Sequence, residues 1–209
     1  MIKILIADDH AIVRKGLKQI LADAPDIASI DEAGSGQAAL RKVRENNYNV
    51  VLLDISMPGM SGVDVLKQLK TERPKLPVLI LTMHPEEQYA VRILKAGASG
   101  YLTKESAPDE LISAIQKVSQ GGKYISPSLA EKLACDLDSA VMQPLHERLS
   151  DREYQIMTML ASGKSTKEIA HELSLGMPTV STYRFRILLK MKLKNNAELI
   201  SYAIKNNLL

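Results

Sequence analysis

Val50-Val51-Leu52-Leu53-Asp54-Ile55-Ser56-Met57-Pro58-Gly59 runs from an unbroken apolar tetrapeptide into an acid and then into a Pro-Gly turn. Apolar residues without alternation fit a strand buried on both faces, as in a parallel sheet. Working outward, comparable runs lie at Ile2–Ala7 and Val78–Thr82, with weaker ones at Ile27–Asp31 and Gly100–Thr103. Amphipathic stretches with helical spacing separate them, at Ala11–Ala22, Ser35–Asn46, Gly62–Glu72, Glu86–Ala96 and Pro108–Gln120. Strand and helix alternating five times predict an α/β domain over residues 1–121, with a five-stranded, doubly wound parallel sheet of the flavodoxin-like kind.

From Leu149 onward the strand signal stops and only helical spacing remains. Gly121-Gly122 ends the last helix of the first half, and residues 122–146 read as a linker, with a short helix expected at Leu129–Asp136. Residues 147–209 form the second, all-α domain. At 209 residues, 45% hydrophobic and 24% charged, the chain has the composition of an ordinary globular protein rather than a disordered or collagenous one. No apolar run reaches a membrane span, and the acidic pair Asp8-Asp9 follows the first apolar run, unlike a secretory signal. With one cysteine, Cys135, there is no intramolecular disulfide framework. These features predict a cytoplasmic protein with no membrane partner.

Ligands in open α/β sheets bind beyond the carboxyl ends of the strands. That rule gathers Asp8, Asp9, Asp54, Thr82 and Lys104 at one edge. Crowded carboxylates repel and need a cation, and hard oxygen ligands with room for water suit Mg²⁺. Asp54 ends the central strand and is the expected nucleophile towards a phosphoryl donor, with Asp8 and Asp9 binding metal and Lys104 neutralising phosphoryl oxygens. His10 and His84 lack companions at ligand spacing. His10 reads as a loop or helix-start residue, and His84 as a residue that tunes water access to Asp54.

The two halves differ in charge. Residues 1–122 carry fifteen Lys/Arg and fifteen Asp/Glu, whereas residues 147–209 carry ten against six. No acid lies between Glu172 and Glu198. Ser150–Glu153 and Ser165–Glu168 each have the S-x-x-E form of a capping box. Ser174-Leu175-Gly176 makes a turn, and Met177-Pro178 opens a third helix, expected to bury Val180, Tyr183, Ile187 and Met191. Its other side presents Thr179, Ser181, Thr182, Phe185, Arg186 and Lys190. This is the pattern of a helix-turn-helix unit acting on double-stranded DNA, with Ser181, Thr182 and Phe185 nearest the bases and Arg186, Lys190 and Lys167 at phosphates. A last helix, Asn196–Asn206, carries Leu199, Ile200, Ala203 and Ile204 on one side, a stripe that can close the small core.

Ile6-Ala7-Asp8-Asp9-His10, Leu53–Gly62, Leu81-Thr82 and Gly100-Tyr101-Leu102-Thr103-Lys104 together resemble the receiver domain of two-component response regulators. The run from Leu149-Ser150-Asp151-Arg152-Glu153 through Thr179-Val180-Ser181 resembles the LuxR-type DNA-binding domain. The whole is similar to the NarL/FixJ family, and Ser181–Arg186 is most similar to its GacA/UvrY branch. The resemblance implies that Asp54 accepts phosphate from a sensor histidine kinase and that the Ser56 carbonyl completes a Mg²⁺ shell. It also implies that Thr82 and Tyr101 form a switch in which Tyr101 moves inward, and that the last helix supports a homodimer on phosphorylation or DNA binding. Such a regulator is not an enzyme beyond Mg²⁺-dependent self-phosphorylation and dephosphorylation at Asp54. Glu105 stands where many receivers have proline, and Ser181 where many relatives have lysine. Two rivals remain at this level. An aspartate-dependent phosphatase would want an acid where Ser56 stands, and a protein adaptor would not need the acid-free basic stretch.

Overall fold

The computed structural model describes residues 1–22, 24–83, 86–126, 129–130, 144–206 and 208–209. The chain divides into two compact units, Met1–Lys132 and Leu133–Leu209. Both His84 and most of the short helix expected at Leu129–Asp136 lie outside the described residues.

In the first unit, β1 (Ile2–Ala7), β2 (Ile27–Ala33), β3 (Val50–Leu53), β4 (Val78–Thr82) and β5 (Gly100–Thr103) form one parallel sheet in the order β2-β1-β3-β4-β5. Helices α1 (Ala11–Ala22), α2 (Gly36–Glu45), α3 (Gly62–Glu72), α4 (Glu86–Lys95) and α5 (Ala107–Ser119) connect the strands. The strand order reverses between β1 and β3, the switch point at which such sheets open a crevice. Every residue of β3 and β4 is buried, as their unbroken apolar runs require. β2 runs two residues beyond its expected end because Glu32 and Ala33 continue the ladder against Ile6 and Ala7. Ser35 caps α2, its hydroxyl accepting from the Ala38 amide at 3.3 Å.

Gly62 fixes the loop after β3. Its amide donates to the Ile55 carbonyl at 3.0 Å, and a methyl group there would fall 2.7 Å from the Ile55 Cα and closer still to the Asp54 carbonyl. Only glycine lets α3 start this near the strand end.

The sequence places a linker from residue 122, yet the chain stays on the sheet past that point. Tyr124 donates its amide to the Ser99 carbonyl at 2.9 Å, and its carbonyl accepts from the Tyr101 amide at 3.3 Å, a parallel bridge opposite Gly100. Its phenol donates to Glu110 Oε2 at 2.7 Å, the Lys117 ammonium lies 5.8 Å from the ring centre, and the Lys123 ammonium donates to the Ala98 carbonyl. Hydrophobic periodicity carries no signal for a bridge of one residue.

The second unit contains a 3₁₀ turn, Leu145–Arg148, and helices Asp151–Ala161, Thr166–Glu172, Met177–Met191 and Asn196–Lys205. Both capping boxes form as the sequence expects, with Ser150 and Glu153 exchanging bonds at the first helix and Ser165 and Glu168 at the second. Gly163, at φ 88°, ends the first helix in the left-handed region where glycine is favoured.

Replacing Gly62 by alanine is expected to cost about 1–3 kcal/mol, the usual penalty of forcing atoms into filled space. Denaturant unfolding followed by circular dichroism measures it, and a Gly62→Ala protein as stable as the parent would show that the loop relaxes freely.

Candidate functional site

The ends of three strands bring two sets of acids and a lysine to one place. Asp8 follows β1 and its amide bonds the Ala33 carbonyl at 3.1 Å; Asp54 follows β3 and its amide bonds the Ala7 carbonyl at 2.9 Å. Both carboxylates are almost wholly buried. The backbone amide of Lys104 donates to the Thr82 carbonyl at 2.8 Å, which aims the lysine side chain inward from the end of β5. Its ammonium lies 2.7 Å from Asp8 Oδ2 and 2.8 Å from Asp54 Oδ2. Ser56 donates its amide to Asp54 Oδ1 at 3.1 Å. The Arg14 guanidinium donates to the Asp8 carbonyl at 2.7 Å and to Glu32 at 2.9 Å, bracing the Asp8 turn from α1.

Burial pushes the Asp54 carboxyl up from its ordinary value; Lys104 opposes this, and the neighbouring Asp8 charge reinforces it. For Lys104 burial acts against the charged form, but the two carboxylates outweigh it and raise the ammonium above its usual range. The carboxylates therefore keep Lys104 charged.

Asp8, Asp9, Asp54 and Lys104 meet at this edge, and His10 joins them. The Nδ1 of His10 is 3.1 Å from Asp9 Oδ1 and 3.3 Å from Asp8 Oδ1. One donor atom from each of Asp8, Asp9, His10 and Asp54 falls within a 4.8 Å group. His10 does stand at the helix start, as the sequence expects. The Asp-Asp-His tripeptide is the signal for its place beside the acids, although His10 has no second histidine or cysteine at ligand spacing. A divalent cation fits this donor set. Asp8 Oδ2 and Asp9 Oδ1 are buried acceptors with no hydrogen bond, although the first faces the Lys104 ammonium, and hard carboxylate oxygens are the ligands Mg²⁺ takes. Thr82 is fully buried and Tyr101 is 2% exposed, each on the strand the sequence assigns it to.

In the second unit Thr179, Ser181, Thr182, Phe185, Arg186 and Lys190 all lie on exposed positions of the Met177–Met191 helix, and Lys167 is exposed on Thr166–Glu172. Two details differ from the sequence reading. Tyr183 is only half-buried and Leu188 joins Val180, Ile187 and Met191 in the core, since a phenol keeps its hydroxyl near the surface at less cost than a leucine stays wet. Lys190, expected at a phosphate, lies with its ammonium 2.6 Å from Glu153 Oε2. The Thr182 hydroxyl donates to the Pro178 carbonyl at 2.9 Å, which leaves its oxygen as an acceptor. Arg184, half-buried, donates to Asn196 Oδ1 at 2.7 Å and ties this helix to the last one. There Leu199 and Ala203 close the core while Ile204 is 61% exposed, so only part of the apolar stripe serves the small core.

A pocket of clustered carboxylates with a lysine at the switch point of a five-stranded parallel sheet, followed by a capped helix-turn-helix with a basic outer face, defines a receiver joined to a DNA-binding module. Residues 4–116 match the response regulator receiver domain, and residues 147–203 match the bacterial regulatory proteins of the luxR family. The chain belongs to the two-component response regulators that carry both, and it regulates transcription. It is 36% identical to the response regulator UvrY of Escherichia coli K12 over all of this chain and 96% of that one. It is also 36% identical to the response regulator GacA of Pseudomonas syringae pv. syringae, over all of this chain and 98% of that one. Among solved structures, RcsB from Salmonella enterica serovar Typhimurium, bound to promoter rprA in the presence of the phosphomimetic BeF₃⁻, matches with a TM-score of 0.65 and 25% identity, covering 97% of this chain and 98% of that one.

Glu153 offers a pH test of the DNA-binding module. Burial resists its charge, but the bonds from Lys190 and from Ser150 outweigh that and hold the carboxyl below its ordinary 4.5. A depressed folded value means that its stabilisation is full above pH 4.5 and is lost as the pH falls through the lowered value. Glu153→Gln is expected to destabilise the module by about 1–3 kcal/mol near neutral pH, with the gap to the parent closing on acidification. Urea unfolding at several pH values checks this, and a gap independent of pH would contradict it.

Proposed function

We propose that Asp54 accepts a phosphoryl group from a phosphohistidine of a sensor histidine kinase, and that the phosphorylated chain controls transcription through the Met177–Met191 helix on double-stranded DNA. The observation that carries this reading is the Lys104 ammonium lodged between the buried carboxylates of Asp8 and Asp54. An Asp54 oxygen attacks phosphorus in line, forming a P–O bond as the P–N bond breaks. The electron pair stays on the imidazole, which is protonated at its other nitrogen and leaves neutral. Lys104, already 2.8 Å from Asp54 Oδ2, takes the charge that collects on the phosphoryl oxygens. The Ser56 amide holds the other Asp54 oxygen and so orients the attack.

Asp8, Asp9, Asp54 and the Ser56 carbonyl would hold Mg²⁺, which when bound supplies positive charge against the crowded carboxylates and the phosphoryl oxygens. The chemistry is self-phosphorylation and later hydrolysis at one residue, not turnover of a separate substrate. The Thr82 hydroxyl turns to the phosphoryl group, and Tyr101, buried beside β4, occupies the space this leaves.

On DNA, Ser181, Thr182 and Phe185 face base edges, with Thr182 as an acceptor and Phe185 against a thymine methyl. Thr179, Arg186 and Lys167 contact the backbone, while Lys190 braces the helix through Glu153 before it can reach a phosphate. Two copies bind together, as a homodimer favoured by phosphorylation. We take residues 1–121 as the phosphoacceptor domain, 122–146 as the connection and 147–209 as the DNA-binding domain. No described helix is long and apolar enough to cross a membrane, and a regulator that meets DNA works in the cytoplasm.

Two experiments test the two halves separately. Asp54→Asn should abolish labelling by acetyl phosphate, and persistent labelling would remove Asp54 as the acceptor. Arg186→Ala should weaken binding to all DNA sequences and lower the salt slope by about one unit, whereas Ser181→Ala should shift sequence preference. A uniform loss from both changes would reverse the assigned orientation of the helix.

A further inference from the structure

We propose that His10 contributes a nitrogen ligand to the cation site formed by Asp8, Asp9 and Asp54, and that its imidazole tilts that site towards a first-row transition cation such as Mn²⁺ over Mg²⁺. The inference rests on reading this pocket as a cation site and goes beyond it in naming a fourth side chain and a preferred class of ion.

The backbone places His10 for this. β1 ends at Ala7 and α1 starts at Ala11, so His10 is the last residue before the helix. Its amide donates to Asp8 Oδ1 at 2.7 Å, which folds the turn back over the acids. The same turn brings Nδ1 to 3.1 Å from Asp9 Oδ1 and 3.3 Å from Asp8 Oδ1. Adjacent ligands on an octahedral cation with bonds of about 2.2 Å stand about 3.1 Å apart. The spacing is that of neighbouring ligands on one ion.

A second observation points to the same space. The Asp8 side chain is 3% exposed, and its Oδ2 lacks a hydrogen bond although the Lys104 ammonium faces it; Asp9 Oδ1 is buried without one as well. Buried acceptors left unsatisfied are costly unless a cation or donor completes them. Lys104 answers for Asp8 and Asp54, while Asp9 Oδ1 faces the His10 imidazole at 3.1 Å. The His10 side chain is 61% exposed, which leaves a path for a hydrated ion. Neutral imidazole with its proton on Nε2 presents a lone pair at Nδ1, a donor that transition cations take readily and Mg²⁺ takes reluctantly.

The competing account is that Nδ1 carries the proton and only bridges the two carboxylates. Pulsed electron paramagnetic resonance of the full chain loaded with Mn²⁺ separates the two. A ¹⁴N modulation of imidazole type should appear in the parent and vanish in His10→Ala, a variant that keeps the backbone amide bond to Asp8. Titration calorimetry should show Mn²⁺ affinity falling about tenfold in His10→Ala, with Mg²⁺ affinity changed by less than about twofold. Bound Mn²⁺ without nitrogen coupling, or equal losses for both ions, would overturn the proposal and leave the cation site standing. Failure of the parent to bind either ion would overturn the reading of the pocket itself.

Discussion

A lysine ammonium held between two buried carboxylates is the constraint around which the first unit is organised. Carboxylates as buried as Asp8 and Asp54 cannot share one strand edge unless charge of the opposite sign enters with them. Lys104 supplies it, and the demand reaches back into the fold. β5 must end level with β1 and β3, the Thr82 carbonyl must receive the Lys104 amide, and Gly62 must let α3 start against the Asp54 carbonyl. Removing one member leaves an uncompensated charge in a place made for balanced ones. The proposed phosphoryl group on Asp54 would upset this balance, adding negative charge beside the Lys104 ammonium that already meets two carboxylates.

The second unit solves a similar problem with one residue in two roles. Glu153 closes the capping box of Asp151–Ala161 through the Ser150 amide and accepts the Lys190 ammonium from the Met177–Met191 helix. A local helix-start device thereby fixes the position of a helix elsewhere in the module. Arg184 and Asn196 do the same at the other side, so the exposed row from Thr179 to Arg186 is carried on a helix held at both flanks. Rigid presentation of this kind favours sequence discrimination, since less freedom is lost on binding.

The strands and helices of the first unit were legible because fully buried parallel strands write themselves as apolar runs, and the strand-end acids follow from the topology alone. Both capping boxes were legible for a related reason: they are local, with partners three residues apart. The sequence was less informative where partners are distant or where a side chain has a choice. Lys190 belongs to a basic helix face by composition, but its ammonium turns to Glu153, thirty-seven residues away in the chain. Tyr183 and Leu188 sit on adjacent edges of one helical face, and periodicity does not separate them. His10 required knowing how tightly the turn after β1 folds back on Asp8 and Asp9.

The single-residue bridge at Tyr124 has a consequence for the border of the sheet. β5 is the outermost strand of its side, and an outermost strand shows unpaired amides and carbonyls to any passing chain. Here the polypeptide closes that open ladder itself, at the Ser99 carbonyl and the Tyr101 amide, using residues that follow α5. A fragment cut at Gly122 would leave a raw selvedge beside Tyr101, inviting strand addition from a neighbour. The stretch after α5 thus begins as the hem of the sheet.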